Sequence, residues 1–185
     1  MVEKVNVDLA LCRNLLHPRN TILVTCIGKD GKANIITCED SMPTSYEPPM
    51  VAICISPKRH SHRLIRESGE FAINIPTIGI VKAVLLCGRA SGQTTDKFQR
   101  AKLTPIPAQK VKAPLIKECI AHLECKLSQQ FETGDHTIFV GGVIAASANK
   151  GIFTEALDIK NVKLVLHVGG DAFVTSTSKM MIPRI

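Results

Sequence analysis

The chain has 185 residues, 45% hydrophobic and 21% charged, an ordinary globular make-up that excludes a disordered or collagen-like chain. Lys and Arg total 23 against 16 Asp and Glu, a formal charge of +7, which favours anionic partners without naming one. One Tyr, six Phe and no Trp leave little to stack on bases, so a nucleic-acid role is disfavoured.

The first ten residues carry Glu3, Lys4 and Asp8 and lack the apolar core of a signal peptide. Thr21–Ile27 is apolar and β-branched and predicts a strand. Lys29-Asp30-Gly31-Lys32 predicts a hairpin turn, because Asp-Gly supplies the positive φ such turns need. Ala33–Cys38 is the returning strand, Met42–Pro49 with its three prolines reads as an irregular loop, and Val51–Ser56 is a buried strand. Ser61–Ser68 reads as a short helix stopped by Gly69, and Glu70–Ile75 as a strand.

Helices are expected over Ile80–Leu86, with Thr77 as cap and Gly88 as stop, and over Thr95–Ala101, capped by Thr94 or Thr95. Glu118–Leu127 alternates with period two, Cys119, Ala121, Leu123, Cys125 and Leu127 against Glu118, His122, Glu124 and Lys126, as a half-buried strand would. His136–Ala148 is a long strand whose Gly141-Gly142 pair marks a bulge or a close backbone approach. Val162–Val168 is another, ended by Gly169-Gly170. Seven or eight strands and three short helices are too few crossovers for a parallel α/β sheet. A closed or nearly closed antiparallel barrel in one domain is expected.

The seven cysteines are odd in number and none is spaced C-x-x-C, so neither a disulfide framework nor a zinc ribbon is expected. Free thiols suit a reducing cytoplasm. Cys38 and Cys87 are the candidates for reactivity, which needs a cationic setting. The six histidines lack H-E-x-x-H or C2H2 spacing, so no metal site is expected.

Three segments can carry chemistry. Ser56-Pro57-Lys58-Arg59-His60-Ser61-His62-Arg63 runs from a strand end into a helix start. Helix amides, hydroxyls and cations there suit a phosphate; a solvated basic turn reads equally well. Asn34–Cys38 leads into Glu39–Pro43, either exposing backbone groups to a planar heterocycle or merely leaving the sheet as an edge strand. Gly134-Asp135-His136 is a turn whose His is either functional or a surface residue. No P-loop, Rossmann or G-x-S-x-G motif is present.

The order of these segments resembles the flavin reductase-like family of FMN-binding split-barrel proteins, flavoredoxin-like members above all. The stretches that carry the likeness are HPRNTILVT, DGKANIIT, MPTSYEPPMVAICIS, SPKRHS, EFAINIP, CGRASGQTTDKF, LTP, APLIKECIAHLEC, GDHTIFVGGV and VLHVGGDAF, from His17 to Phe173. Each is weak alone; ten in one order are specific. The resemblance implies a mainly β Greek-key split barrel with a few short peripheral helices, usually a homodimer with FMN near the interface. It implies that Asn34, Ile36, Thr37 and Cys38 run beside the isoalloxazine and that Ser41, Met42 and Pro43 shape the pocket wall. Ser56, Arg59, His60 and Ser61 would hold the phosphate, and Asn74 would support that loop or the ribityl chain. Lys97 would reach the flavin or its phosphate, His136 would lie near the nicotinamide or flavin edge as the catalytic candidate, and His167 and Phe173 would close the pocket.

Glu39-Asp40 departs from the family pattern, and two carboxylates beside a flavin would disfavour its anionic reduced form. Three functions follow from the resemblance. The first is an NAD(P)H-dependent reductase passing a hydride to FMN; the second is an FMN electron carrier serving a redox protein partner; the third is a binding protein without turnover.

Overall fold

The computed structural model describes residues 2–179. Among them are an eight-residue 3-10 helix, Leu9–Leu16, and then β1 (Arg19–Asn20), β2 (Ile22–Ile27), β3 (Ala33–Cys38), β4 (Ser41–Tyr46) and β5 (Pro49–Ile55). Helix α1 (His60–Ser68) and strand β6 (Glu70–Ile75) follow, then α2 (Val81–Arg89), α3 (Lys97–Ala101), β7 (Pro105–Ile106) and β8 (Leu115–Ile116). The last described strands are β9 (Ala121–Thr133), β10 (His136–Ala148), β11 (Val165–Gly169) and β12 (Ala172–Thr175). Seven strands form one antiparallel sheet in the order β3-β2-β6-β9-β10-β5-β4. β3 runs through Glu39 and Asp40 directly into β4, the strand at the opposite edge of the sheet, so the sheet curls to bring its two edges together; the Cys54 N–H, donating to the Asp40 carbonyl at 2.9 Å, carries the β4–β5 ladder to that corner. It is the expected nearly closed barrel, split beside β3.

The period-two pattern sorts the sheet into two faces. Ile22, Val24, Cys26, Ile53, Ile55, Phe71, Ile73, Cys125 and Phe139 fill the interior. Phe71 and Phe139 are fully buried, each contributing about 2–3 kcal/mol of apolar burial. Helix α1 plugs one end with Leu64 and Ile65, and Gly69 ends it in the left-handed conformation, φ 70°. Gly141 lies in β10 where the pairing with β9 shifts. A Cβ there would stand 2.6 Å from Phe71 Cζ, so Gly141 is both a close approach and the site of the bulge, while Gly142 has room beside it. On the outer face Leu23, Ile35, Val84, Cys87, Phe98, Ile116 and Val165 pack a second core under α2, α3 and β11.

Several expectations are corrected. Met42–Pro49 is not a loop: β4 pairs with β5, and its prolines are tolerated because β4 is an edge strand with a bulge between Pro43 and Ser45. The cap of α3 is Asp96, which accepts from the Gln99 N–H, not Thr94 or Thr95. Thr77 makes no side-chain cap, and α2 runs past Gly88 to Arg89. The polar face of β9 is not solvated. Glu124 is 2% exposed, accepting from the N–H groups of Gln109, Lys110 and Val111. His122 is also buried, its Nδ1 donating to Asn74 Oδ1. The segment before and through β8 covers this face, which period two alone does not show.

Burial holds His62 and His122 below the ordinary imidazole pKa. The folded chain thus binds these protons more weakly than the unfolded chain, so their contribution to stability is complete above about pH 6.5 and is lost as pH falls below it. The urea midpoint should stay flat from about pH 8 to 7 and decline towards about pH 5; a midpoint that rises on acidification would contradict this.

Candidate functional site

At the tip of the β2–β3 hairpin the Gly28 N–H donates to the Lys32 carbonyl at 2.9 Å. The register pairs Cys26 with Asn34, Val24 with Ile36 and Ile22 with Cys38. Antiparallel bonded pairs recur every second residue, so these three pairs are bonded, and the backbone groups of Ile35 and Thr37 face the other way. That side of β3 has no strand on it. Lys97 confirms the direction: its Nζ donates to the Ile35 carbonyl at 2.7 Å and to the Cys87 carbonyl at 2.8 Å.

The split beside this edge is a cleft of about 510 Å³ lined by Ile36, Thr37, Cys38, Ser56, Arg59 and His136 together with Glu39, Asp40, Cys54 and Lys58, within the usual size of small-molecule sites. A recess of about 120 Å³ adjoins it, lined by Asn34, His60, Ser61, Lys97 and Arg89 as well as Ile36, Lys58 and Arg59. A third lobe of about 370 Å³ shares Thr37, Glu39 and Arg59 and adds His167 and Phe173. Of the sixteen residues singled out from sequence, twelve thus meet along one continuous cleft.

The remaining four do not. Ser41, Met42 and Pro43 lie on β4, beyond the lining, and Met42 is 60% exposed. Asn74 is fully buried in another network, donating to the Leu23 carbonyl and Thr25 Oγ1 and accepting from the Ile116 N–H.

The recess is basic and only partly satisfied. Arg59 is the N-cap position of α1 and makes no side-chain cap, so the first amides of that helix stay open to a ligand. Ser61 is buried and accepts from Asn34 Nδ2 at 2.7 Å, which leaves its hydroxyl proton free to donate. The buried Nδ1 of His60 has no partner. At the other wall His136 Nδ1 donates to Asp135 Oδ1 at 2.7 Å; that contact holds the Asp135 carboxyl below its usual range. The thiol of Cys38 is pushed up to about 12, and that of Cys87 to about 11, by burial, so neither is the activated nucleophile a cationic setting would make.

Glu39 and Asp40 do not face the cleft uncompensated. Arg19 donates to Glu39 Oε1 at 2.9 Å and also pairs with Asp40 Oδ1. His17 and His167 both reach Glu39 Oε2. Sequence reasoning missed Arg19 and His17; the hairpin register that pairs Ile22 with Cys38 already brings the residues just before β2 level with those just after β3.

Lys97 is 5% exposed, and burial lowers its pKa from the ordinary lysine value. Lys97→Met should cost about 2 kcal/mol, because two buried carbonyls lose their charged donor. Urea unfolding measures it, and an unchanged midpoint would show that the anchor is idle.

The flavin reductase like domain family matches residues 14–168. An uncharacterized protein of Archaeoglobus fulgidus is 37% identical over 169 residues, covering 91% of this chain and 94% of that one. A protein named flavin reductase (NADH) from Kitasatospora aureofaciens is 30% identical over 128 residues, covering 69% and 65%. The crystal structure of flavoredoxin from Methanosarcina acetivorans superposes with a TM-score of 0.86 at 27% identity, covering 98% of this chain and 95% of that one.

Proposed function

The chain belongs to the flavin reductase-like domain family, and on that premise we propose that it binds FMN in the split of the barrel and works as an NAD(P)H-dependent flavin oxidoreductase. The observation that carries this reading is the unpaired edge of β3 ending beside a basic helix start. A tricyclic ring with a polar rim needs backbone donors and acceptors on one side, and a terminal phosphate needs cations and open amides. The donor set fits: Arg59, Lys58, the Ser61 hydroxyl and the amides of α1 hold the phosphate. The backbone of Thr37 orients the ring rim, and the apolar side chain of Ile36 and the half-buried Cys54 supply walls.

When bound, the flavin supplies the redox chemistry, taking a hydride from a reduced nicotinamide and releasing electrons to an acceptor. Lys97 fixes the β3 edge in place by gripping the Ile35 carbonyl. Asp135 holds the His136 ring through Nδ1, leaving Nε2 as the nitrogen free for a bound molecule at the cleft mouth. Arg19 offsets the carboxylates of Glu39 and Asp40, which otherwise would oppose negative charge on a reduced cofactor. The relative named as an NADH flavin reductase supports a nicotinamide donor. A homodimer accompanies this reading: Leu9, Leu15 and Leu16 of the N-terminal 3-10 helix are each 69% exposed or more, as an interface strip would be in an isolated protomer. Among the described residues no helix is long and apolar enough to cross a membrane; a cytoplasmic setting suits the seven free thiols.

Two outcomes test the reading. Arg59→Ala combined with Ser61→Ala should weaken FMN at least about tenfold while leaving riboflavin nearly unchanged, since charge-assisted hydrogen bonds to the phosphate are what is lost. Equal losses for the two ligands, measured by fluorescence titration, would move the phosphate elsewhere. Anaerobic addition of NADH or NADPH to the FMN-loaded protein should bleach the flavin absorbance. No bleaching with either nucleotide would remove the reductase and leave an electron carrier.

A further inference from the structure

We propose that His17, Glu39 and His167 form a binding site for a divalent first-row transition-metal ion of the Zn²⁺ type, in the lobe of the cleft away from the phosphate recess. One ligand atom from each of the three residues lies within 4.8 Å of the other two. The rings of His17 and His167 stand edge to face with centroids 5.2 Å apart, and both aim a nitrogen at the same carboxylate oxygen, Glu39 Oε2. Two imidazoles and one carboxylate are the donor set of open zinc-type sites, with three protein ligands and a free position.

The hydrogen bonds around the cluster fix where the lone pairs point. His167 Nε2 donates to the Gly170 carbonyl at 3.1 Å, so a neutral His167 presents the lone pair of Nδ1 to Glu39 Oε2. Two acceptors in contact need a cation between them, either a proton on the ring or a metal ion. The bond to Gly170 is also the kind of outer contact that orients metal-ligating histidines. Arg19 Nη2, a permanent donor, lies 3.1 Å from His17 Nε2, so that nitrogen carries a lone pair, which an ion must take over from Arg19 while Arg19 keeps Glu39 Oε1 and Asp40. His17 Nε2 is 3.4 Å from Glu39 Oε2. Ligand distances of about 2.0–2.2 Å place neighbouring donors about 3–3.5 Å apart, so this pair already has the required spacing.

Charge and burial point the same way. The His17 side chain is 5% exposed, and its Nδ1 has no partner, so the protein buries an imidazole here without using it fully. Glu39 and Asp40 bring two negative charges and Arg19 returns one, which leaves the cluster one net negative charge to offer a cation. Arg19 occupies Glu39 Oε1, leaving Oε2 for the ion. Glu39 and His167 both line the lobe that also holds Arg13, Arg59 and Arg89, so the open positions face a basic wall that suits water or an anionic oxygen ligand. The three ligands come from the segment before β1, the corner after β3, and β11, distant in sequence and without any spacing motif.

The test is a Zn²⁺ titration of the full chain after metal is stripped with a chelator, above the ordinary imidazole pKa and in a Cys12→Ser background, because Cys12 is the exposed thiol. Nitrogen-15 NMR of the histidine rings reads it. One equivalent should shift the ring nitrogens of His17 and His167 and leave those of His60, His62, His122 and His136 unmoved. His167→Ala should weaken binding at least about tenfold, and Glu39→Gln, which keeps the volume, serves if the alanine variant does not fold. Absence of binding, shifts in other histidines only, or undiminished affinity in the folded variant would each overturn the proposal. Any bound flavin is removed before the titration, so the result does not depend on whether the flavin reading stands.

Discussion

A β-strand with one bare edge must hand its donors and acceptors to something else, because a polar backbone group that is buried and unpaired costs about as much as a lost hydrogen bond. In this protein β3 is one of the two edges of the seven-stranded sheet, and the one that lines the cleft. Lys97 takes the carbonyl of Ile35, and Thr37 is left facing the cleft. The rest of the site is arranged around that strand. The sheet curls to bring its two edges together, α1 plugs the barrel with Leu64 and Ile65, and the plug brings Arg59 and Ser61 to the end of the same edge. Packing of an apolar helix face thus sets the position of a basic, amide-rich corner.

Much of this was legible in the sequence because it rests on local chemistry. The Asp30-Gly31 turn sets the register of β2 on β3, and Gly31 has the positive φ, 77°, that the turn demands. Leu64, Ile65 and Gly69 spell out α1 and its stop. The basic loop before that helix is visible as a run of charges. The misses are of another kind. Pro43, Pro48 and Pro49 argue against a strand unless the strand is known to be an edge, and edge position is a property of the whole sheet. Glu124 looks like a solvated position by alternation, yet the amides of Gln109, Lys110 and Val111 close over it. The order of family-like segments located the cleft, but it also assigned Asn74 and β4 to it, and the side-chain network places them elsewhere.

The electrostatics show the same division. A net charge of +7 says that anions are welcome but not where. The fold brings Lys58, Arg59 and Arg89 together in the recess beside α1, and ties the two carboxylates after β3 to Arg19 and two histidines. An anionic tail is drawn to the recess, where cations stand without a carboxylate among them.

The most direct measurement is a crystal structure of the FMN complex. The phosphate should lie within hydrogen-bonding reach of Arg59, Ser61 and the first amides of α1, with the ring along the backbone of Thr37. A phosphate bound away from α1, or a ring lying off the β3 edge, would contradict the account.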